Sequence, residues 1–444
     1  MKSPLSSIAR DILTEKFHAL LDECDLVADN AAFGKTLDDL EKFFLIQGRT
    51  FLREVFQEKL QERIQQTEQN AEIKECSDCK KKTRYIDTRP KTIVSAHGAI
   101  TLSRQYRRCF PCKKYSFPVE VTLGLNTSYT NGLKRMVARC VGLGSYRIAQ
   151  DNLAELCQIY LSPTTLGEVA DETAGEIADR LKNNPDVRRN FQEAKGEIEF
   201  YADGTFVHIR NADGTTEWRE FKLGAFAKRM RGLPALPSEW GTRTLPNPTV
   251  VATFASIVDK EEFQELCQTM RRTLGVGGVT SALGDGAKWV WNVTRAVFGK
   301  TEECLDIYHG AENISDCGKV LFAEAESKEW FERMRIVLLS EGLAGMEREL
   351  SSLLAGDLKE SERRKITLLL EYFRNNSERL KYAERLALGR AIGSGLIEGA
   401  CKNLVGKRLK QTGACWRLPR ANRIAILCAT LYSSQWKIAW KNTY

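Results

Sequence analysis

The sequence is poor in histidine and lacks any long apolar run. Only four of its 444 residues are histidine, and no Ser/His/Asp or Cys/His catalytic arrangement is recognisable among them. No segment approaches the roughly 18 consecutive apolar residues that a membrane span needs, and the first ten residues lack the apolar core of a signal peptide. We therefore expect a cytoplasmic protein that has no membrane partner.

Acidic residues are missing from the last part of the chain. Residues 399–444 contain nine Lys or Arg and no acid, and residues 76–118 contain eleven Lys or Arg against two Asp. Each segment carries a net charge of +9, whereas the whole chain carries only +8. Concentrated positive charge is what neutralisation of phosphates requires, because a merely solvated surface usually mixes both signs. The distribution of charge predicts a nucleic-acid partner.

The thirteen cysteines fall into two classes. Most of them stand singly in apolar surroundings, and we expect these to be reduced core thiols. The others form two Cys-x-x-Cys pairs, which consist of Cys76, Cys79, Cys109 and Cys112.

The two cysteine pairs enclose 29 residues. Within them, two strand-like runs at 92–96 and 99–106 are joined at His97-Gly98. This pattern is typical of a zinc ribbon, in which four thiolates surround Zn²⁺ as a tetrahedron and backbone N–H groups face the sulfurs. The alternative is two unrelated pairs in a basic hairpin.

Two helical regions flank the cysteine segment. Apolar residues between positions 37 and 60 recur mostly every three or four residues, which predicts helices that form either a dimerisation arm or a packed pair. Later, the chain resembles a helix-turn-helix whose second helix is capped by Ser162 and begins at Pro163. Thr164 and Thr165 would then lie where recognition helices touch bases. Such three-helix patterns also occur in proteins that do not bind DNA.

The central part of the chain changes from helical to strand-like. Strands are predicted at 197–203, 206–210, 217–226, 249–257, 279–283 and 303–308, with helices at 261–274 and 287–298. Three antiparallel strands followed by alternating helices and strands is the order of an RNase H-like domain.

The predicted fold class is a multidomain α/β (α+β) protein. Its regions are a helical N-terminal region (1–72), a zinc-ribbon-like module (73–120), a helix-turn-helix-like region (121–183), the first part of an RNase H-like catalytic domain (195–310), an all-helical insertion (311–388), and the last part of that domain with the basic C-terminus (389–444).

Three carboxylates are the candidate catalytic residues. Asp203 and Asp285 each end a predicted strand and precede a glycine, which allows a sharp turn and close approach of a substrate. Glu398 follows the helix start at Gly393-Ser-Gly395, and at 100° per residue it should face the core. A buried carboxylate there needs either a metal ion or the cation of Arg408. Together the three acids suit two Mg²⁺ (or Mn²⁺) ions that cleave a phosphodiester.

At these residues the chain resembles the DDE transposases of the Kra group of bacterial insertion sequences (ISKra-type), which are distantly Mutator-like. The similarity lies in the strings that begin at Gly284, Asp306, Gly393, Arg408 and Gly413, within residues 195–436. It implies that Asp203, Asp285 and Glu398 form the catalytic triad. It also implies that Asp306 and His309 lie near bound DNA and that an all-helical subdomain precedes the last carboxylate.

The resemblance predicts a nucleoid-associated enzyme that cuts at transposon ends and transfers the 3′-hydroxyl into target DNA as a homodimer or higher oligomer. Basic side chains of the C-terminal segment should contact double-stranded DNA, and these are Lys402, Lys407, Arg408, Lys410, Arg417 and Arg420. The alternatives are a domesticated DNA-binding regulator that does not cleave and, less favoured, a non-transposing nuclease.

Overall fold

The computed structural model describes residues 7–70 and 72–441, which form two compact units. Of the described residues, the N-terminal unit comprises those up to Val141 together with Tyr146–Val169, and the C-terminal unit comprises Gly142–Ser145 and those from Ala170 onward. Each unit combines helices with one small sheet, so the predicted mixture of α and β structure is confirmed. Among the described residues, no helix has both the length and the apolar character to cross a membrane.

The N-terminal unit begins with helices, as the apolar spacing predicts. They are α1 (Ser7–Asn30), α2 (Thr36–Phe43) and α3 (Arg49–Gln69), with a π-helical segment at Phe44–Gly48. Ile64 of α3 is fully buried and belongs to a small apolar core that the following hairpin completes.

That hairpin forms the first sheet, which is antiparallel throughout. Its strands are β1 (Arg84–Ser95), β2 (Gly98–Cys109) and β3 (Lys114–Ser116), in the order β1-β2-β3. The predicted turn at His97-Gly98 is confirmed, but β1 begins eight residues earlier than predicted. The early part of β1 is largely exposed, so it lacks the alternation of apolar residues that marks a half-buried strand.

The remaining helices of this region are α4 (Pro118–Thr122), α5 (Asn131–Leu143), α6 (Tyr146–Cys157) and α7 (Pro163–Asn183). The Ser162 hydroxyl accepts the backbone N–H of Thr165 at 3.1 Å, so the predicted cap of α7 is confirmed. Thr164 is exposed and Thr165 is half-buried at the start of this helix.

The C-terminal unit is built on a five-stranded sheet that follows α8 (Pro185–Glu193). Its strands are β4 (Glu197–Arg210), β5 (Thr216–Arg229), β6 (Val250–Ser256), β7 (Ser281–Gly284) and β8 (Glu302–Leu305). Their order is β6-β5-β4-β7-β8; β5 is antiparallel to β4 and β6, whereas β7 runs parallel to β4 and β8.

The predicted break of the first strand after Asp203 was wrong. β4 continues through Gly204 and Thr205, because these residues pair with Lys222 and Phe221 of β5. The ladder to the neighbouring strand therefore overrides the local tendency of Asp-Gly to turn.

Helices pack around the five-stranded sheet. α9 (Lys260–Leu274) and α10 (Lys288–Phe298) bury an apolar core that includes Phe200, Phe226, Phe254 and Phe263. The helical segment that follows β8 consists of α11 (Ile307–Leu321), α12 (Glu324–Leu354), α13 (Glu360–Asn375) and α14 (Tyr382–Ala387).

The chain then returns to the sheet with short helices. They are α15 (Gly395–Ala400), α16 (Lys407–Leu409), α17 (Leu418–Tyr432) and α18 (Trp436–Ala439), with a π-helical segment at Cys401–Gly406. α15 packs against β4 and β5, and α17 packs against β6.

Buried arginines tie the helical segment to the parallel strands. Arg385 is 1% exposed and donates to Glu302, to Ser281 Oγ and to the backbone carbonyl of Ala391. Arg379 pairs with Glu303 at 2.7 Å, where both side chains are 9% exposed. A buried ion pair of this kind fixes geometry, because removing one partner strands the other charge. The amino ends of β7 and β8 are therefore held in place.

Candidate functional site

Four cysteines of the N-terminal unit converge on one point, as predicted. The Sγ atoms of Cys76, Cys79, Cys109 and Cys112 all lie within 4.8 Å of one another. Cys76 and Cys109 are buried, and Cys79 Sγ lies 3.5 Å from Cys109 Sγ. Four thiols at this separation can hold a structural metal ion such as Zn²⁺.

The two cysteine turns share the same local backbone. The residue after each pair, Lys80 or Lys113, has a positive φ of 57° or 56°, which lets the chain curl around the sulfurs. The backbone N–H groups of Cys79 and Asp78 point at the Cys76 sulfur and lower its pKa to about 7. By contrast, the Cys79 sulfur and burial raise the pKa of Cys112 to about 12. A divalent cation would remove the repulsion that opposes the last thiolate.

Two of the three candidate carboxylates come together at one edge of the large sheet. Tyr201 of β4 pairs in parallel register with Leu283 of β7, so two residues further along each strand come Asp203 and Asp285. Adjacent strands lie about 4.8 Å apart. These aspartates are therefore neighbours at the point where β7 ends.

The carboxylate of Asp203 is held at both oxygens. Its Oδ1 accepts the backbone N–H of Gly204 at 2.6 Å, and its Oδ2 accepts the Cys401 thiol at 3.1 Å. Burial raises the pKa of Asp203, and the negative charge of Asp285 raises it further. The donated hydrogen bonds and the nearby His309 oppose that rise. Asp203 therefore lies in partly desolvated surroundings beside a second carboxylate, which together disfavour its ionised form.

Asp285 lies in a tight turn between β7 and α10. Its Oδ1 accepts the backbone N–H of Ala287 at 3.0 Å, and the hydroxyl of Tyr372 from α13 donates to its carbonyl oxygen at 3.4 Å. Gly286 has a φ of 97°, and a Cβ there would lie 3.0 Å from Leu305 Cδ1. The turn thus requires glycine directly after the carboxylate.

The predicted core-facing position of Glu398 was wrong. Its side chain is 44% exposed, and its Oε1 lies 2.5 Å from Lys402 Nζ. The prediction assumed 100° per residue along the whole helix, but the π-helical segment Cys401–Gly406 changes that angle. Arg408 is 2% exposed, and its guanidinium carbon lies 4.8 Å from the centre of the Trp416 ring.

The structure does not gather all three carboxylates. Within the described part of the chain, one group of at least three acidic, cysteine or histidine side chains has ligand atoms that all lie within 4.8 Å of one another. That group is the four cysteines. Asp203, Asp285 and Glu398 do not form such a group, so the positions of these side chains do not support the predicted Mg²⁺ site.

A third aspartate occupies the equivalent position on the next parallel strand. Gly284 of β7 pairs with Leu305 of β8, which places Asp306 beside Asp285. Asp306 is 1% exposed; its Oδ1 accepts the Tyr308 N–H at 2.7 Å, and its Oδ2 accepts both the N–H and the hydroxyl of Ser394. Asp306 caps the N-terminus of α11 and, through its hydrogen bonds with Ser394, fixes the glycine-rich turn before α15. The prediction that Asp306 contacts DNA does not fit a side chain buried in this way.

Other predicted DNA contacts differ in accessibility. Arg408 is buried, so it has no surface to offer a phosphate. His309 is 40% exposed, with Nδ1 3.7 Å from Glu312 Oε2, and Arg420 pairs with Asp171 at 2.8 Å. The side chains that lie exposed as predicted are Lys402, Lys407, Lys410 and Arg417.

Sequence reasoning missed Cys401 and Tyr372 as neighbours of the acidic pair. Cys401 lies 198 residues from Asp203 in the sequence, and Tyr372 lies 87 residues from Asp285. No local motif links either residue to its aspartate, because both contacts form only when distant helices pack on the sheet.

Comparison with known proteins gives a match over part of the chain and no activity. Residues 37–221 match the model of an uncharacterised protein family, UPF0236. That match includes the four cysteines and Asp203, and it ends before Asp285 and Glu398. No curated protein matches the chain.

Proposed function

We propose that this protein is a DNA transposase of the cut-and-paste type, in which Asp203, Asp285 and Glu398 are the catalytic carboxylates. The observation that carries the proposal is the pairing of β4 with β7, which sets Asp203 beside Asp285. Two adjacent carboxylates with a raised pKa at one of them suit a functional site better than a structural one.

The topology of the large sheet supports the proposal. Three antiparallel strands followed by two parallel ones, with helices between them, is the order expected for an RNase H-like domain. The helical segment α11–α14 stands between β8 and the helix that carries Glu398. The resemblance to Kra-group transposases implies an insertion at this place.

The chain's own residues would prepare the site for cations. Gly204 and Cys401 orient the two oxygens of Asp203, and the turn at Gly286 fixes Asp285. Glu398 would have to release Lys402 to join them. Bound Mg²⁺ would activate the attacking water or 3′-hydroxyl and neutralise the leaving oxygen.

DNA recognition is assigned to the N-terminal unit and to the exposed C-terminal cations. The zinc-ribbon-like module carries a high positive charge, and Thr164 stands exposed at the start of α7. Phosphates would be contacted by Lys407, Lys410 and Arg417 without sequence preference. A homodimer on the two transposon ends would fit the reaction.

One observation favours the rival function, a DNA-binding regulator that does not cleave. Glu398 forms a surface ion pair with Lys402 and does not join the aspartates. If that pair persists when Mg²⁺ is supplied, the third ligand is lost. Terminal inverted repeats beside the gene would count for the transposase.

The test is to incubate the protein with its own flanking DNA and Mg²⁺ or Mn²⁺ and to map the cut positions. Asp203→Asn, Asp285→Asn and Glu398→Gln should each abolish cleavage but keep DNA binding, because each removes a negative ligand and little volume. The matched control is Asp213→Asn, which changes an Asp-Gly pair in the exposed hairpin turn and should still cut. Cleavage by any of the three site variants would disprove the triad.

Melting of Glu398→Gln separates catalysis from stability. An exposed pair with Lys402 contributes about 0–1 kcal/mol, so the variant should melt close to the parent. If Glu398 instead neutralised buried Arg408, the loss would be roughly 3–5 kcal/mol. A stable variant that binds DNA and does not cut supports the catalytic role.

A further inference from the structure

The loop after α16 forms backbone hydrogen bonds with the edge of β4 beyond the point where β7 ends. The backbone N–H of Trp416 donates to His208 O at 3.0 Å, and Arg210 N–H donates to Trp416 O at 2.8 Å. The Trp416 indole N–H donates to Leu409 O at 3.0 Å and closes the loop on itself. Residues 409–416 are therefore fixed beside the outer half of β4.

A groove lies between this loop and the β4–β5 hairpin. One wall consists of Phe206, His208 and Trp218, and the other consists of residues 409–414. Its volume is about 540 Å³, within the range of small-ligand sites. Gly204, the neighbour of Asp203, lines its inner end.

The hairpin wall exposes large aromatic side chains. Trp218 is 66% exposed and Phe206 is 55% exposed. His208 lies directly across from Trp218 in the ladder, and their rings stack with centroids 5.1 Å apart at an angle of 23°. This pair presents a flat aromatic surface toward the groove that the core does not use.

The loop wall supplies positive charge. Lys410 is exposed and its ammonium group contacts the hydroxyl of Thr205. No acidic residue occurs anywhere in residues 399–444, so the loop brings this one cation without a counter-charge of its own. Exposed aromatic rings beside a cation are a combination that binds single-stranded nucleic acid, where bases stack and phosphates are neutralised.

We propose that this groove binds an unpaired nucleotide of DNA, with its base stacked on Trp218 and its phosphate near Lys410. The inference rests on the proposed function, in which a DNA strand must reach Asp203. Because Gly204 lines the groove, a strand seated there would lead directly to the acidic pair. The groove thereby holds an unpaired strand beside the site of cleavage.

The test compares single-stranded and duplex DNA binding by fluorescence anisotropy, with a labelled oligothymidylate and a matched duplex as probes. Trp218→Ala should weaken single-strand binding by roughly 5- to 150-fold, the range of one base-aromatic stack, and should change duplex binding little. Trp218→Phe should keep most of the affinity, because a phenyl ring still stacks. The control is Tyr432→Ala, an exposed aromatic on α17 outside the groove.

A second readout guards against a folding defect. The fluorescence of 2-aminopurine in a single-stranded probe should be quenched by the parent protein and by Trp218→Phe, and Lys410→Ala should weaken binding without removing that quenching. The proposal that this groove binds an unpaired nucleotide would be overturned if Trp218→Ala bound single-stranded DNA as tightly as the parent, or if the parent did not quench the probe. Failure of the parent to bind either DNA would overturn the proposed function as well.

Discussion

The cysteine cluster and the acidic site were both predicted from the sequence, but the structure assembles them to different degrees. All four cysteine sulfurs lie within 4.8 Å of one another. Of the three carboxylates, Asp203 and Asp285 are neighbours, whereas Glu398 pairs with Lys402 at the surface. The first site is complete in geometry and the second is not.

The difference follows from how far each site depends on long-range packing. Each Cys-x-x-Cys turn fixes two ligands within four residues, and one hairpin brings the turns together. Asp203 and Asp285 depend on the register of two strands, and Glu398 depends in addition on the orientation of α15. Each of these long-range contacts adds a geometric requirement that the local sequence does not determine.

The largest expected effect is at the cysteine cluster. The protein should contain about one Zn²⁺ per chain, and Cys109→Ser should release it, because binding at structural zinc sites is worth roughly 10–16 kcal/mol in peptides. Metal analysis and limited proteolysis of residues 73–120 would measure this. Cys24→Ser, at a half-buried cysteine of α1, should keep the zinc. Zinc-free parent protein, purified without chelator, would refute the prediction.

A smaller loss is expected at Asp306, the structural member of the three adjacent aspartates. Asp306→Ala should destabilise the protein by roughly 2–4 kcal/mol, because it removes a helix cap and leaves the buried N–H of Ser394 without its acceptor. Thermal or denaturant unfolding would measure the loss. Asp285→Ala is the control and should cost less than half as much. Equal losses would erase the distinction between a structural and a functional aspartate.

The exposed cations of the C-terminal segment should give a moderate effect on DNA affinity. The double variant Lys407→Ala/Arg417→Ala should lower the slope of log affinity against log salt by about one unit per lost phosphate contact. Duplex binding from low to moderate salt would measure it. Lys260→Ala/Lys328→Ala removes two exposed cations elsewhere and should leave the slope unchanged. An unchanged slope in the first variant would mean that these charges face solvent only.

The smallest expected effect is a pH-dependent gain in thermal stability when Asp203 is replaced by Asn and no divalent cation is added. Its pKa is raised by burial and by Asp285, so Asp203 costs folding free energy as the pH rises above the ordinary pKa of aspartate, and the cost is complete above the raised pKa. Asp203→Asn should therefore raise the melting temperature at pH 7, and the gain should vanish below about pH 4.

Asp213→Asn is the comparison, because the pKa of Asp213 is shifted in the opposite direction to that of Asp203. Hydrogen bonds from Thr215 lower the pKa of Asp213, so its ionised form is favoured by folding, and Asp213→Asn should give no gain at pH 7. A lower melting temperature for Asp203→Asn at pH 7 would show that its charge stabilises the fold without a cation.

Several features were accessible from the sequence because they are local. The cysteine turns, the hairpin at His97-Gly98 and the cap at Ser162 each depend on residues a few positions apart. The distribution of charge along the chain likewise follows from the sequence alone. Turn chemistry and hydrogen bonds over such short distances change little with the surrounding fold.

Other features were decided by tertiary structure. β4 runs past Asp203 because β5 and the loop at Trp416 supply its hydrogen-bond partners. Arg408 and Asp306 carry charge yet are buried, because Trp416 and Ser394 reach them from other segments. Glu398 pairs with Lys402 at the surface, and the π-helical segment after α15 changes its angle to the residues that follow. The sequence by itself determined which side chains could carry chemistry, and packing decided which of them meet, because burial and orientation depend on contacts between residues far apart in the chain.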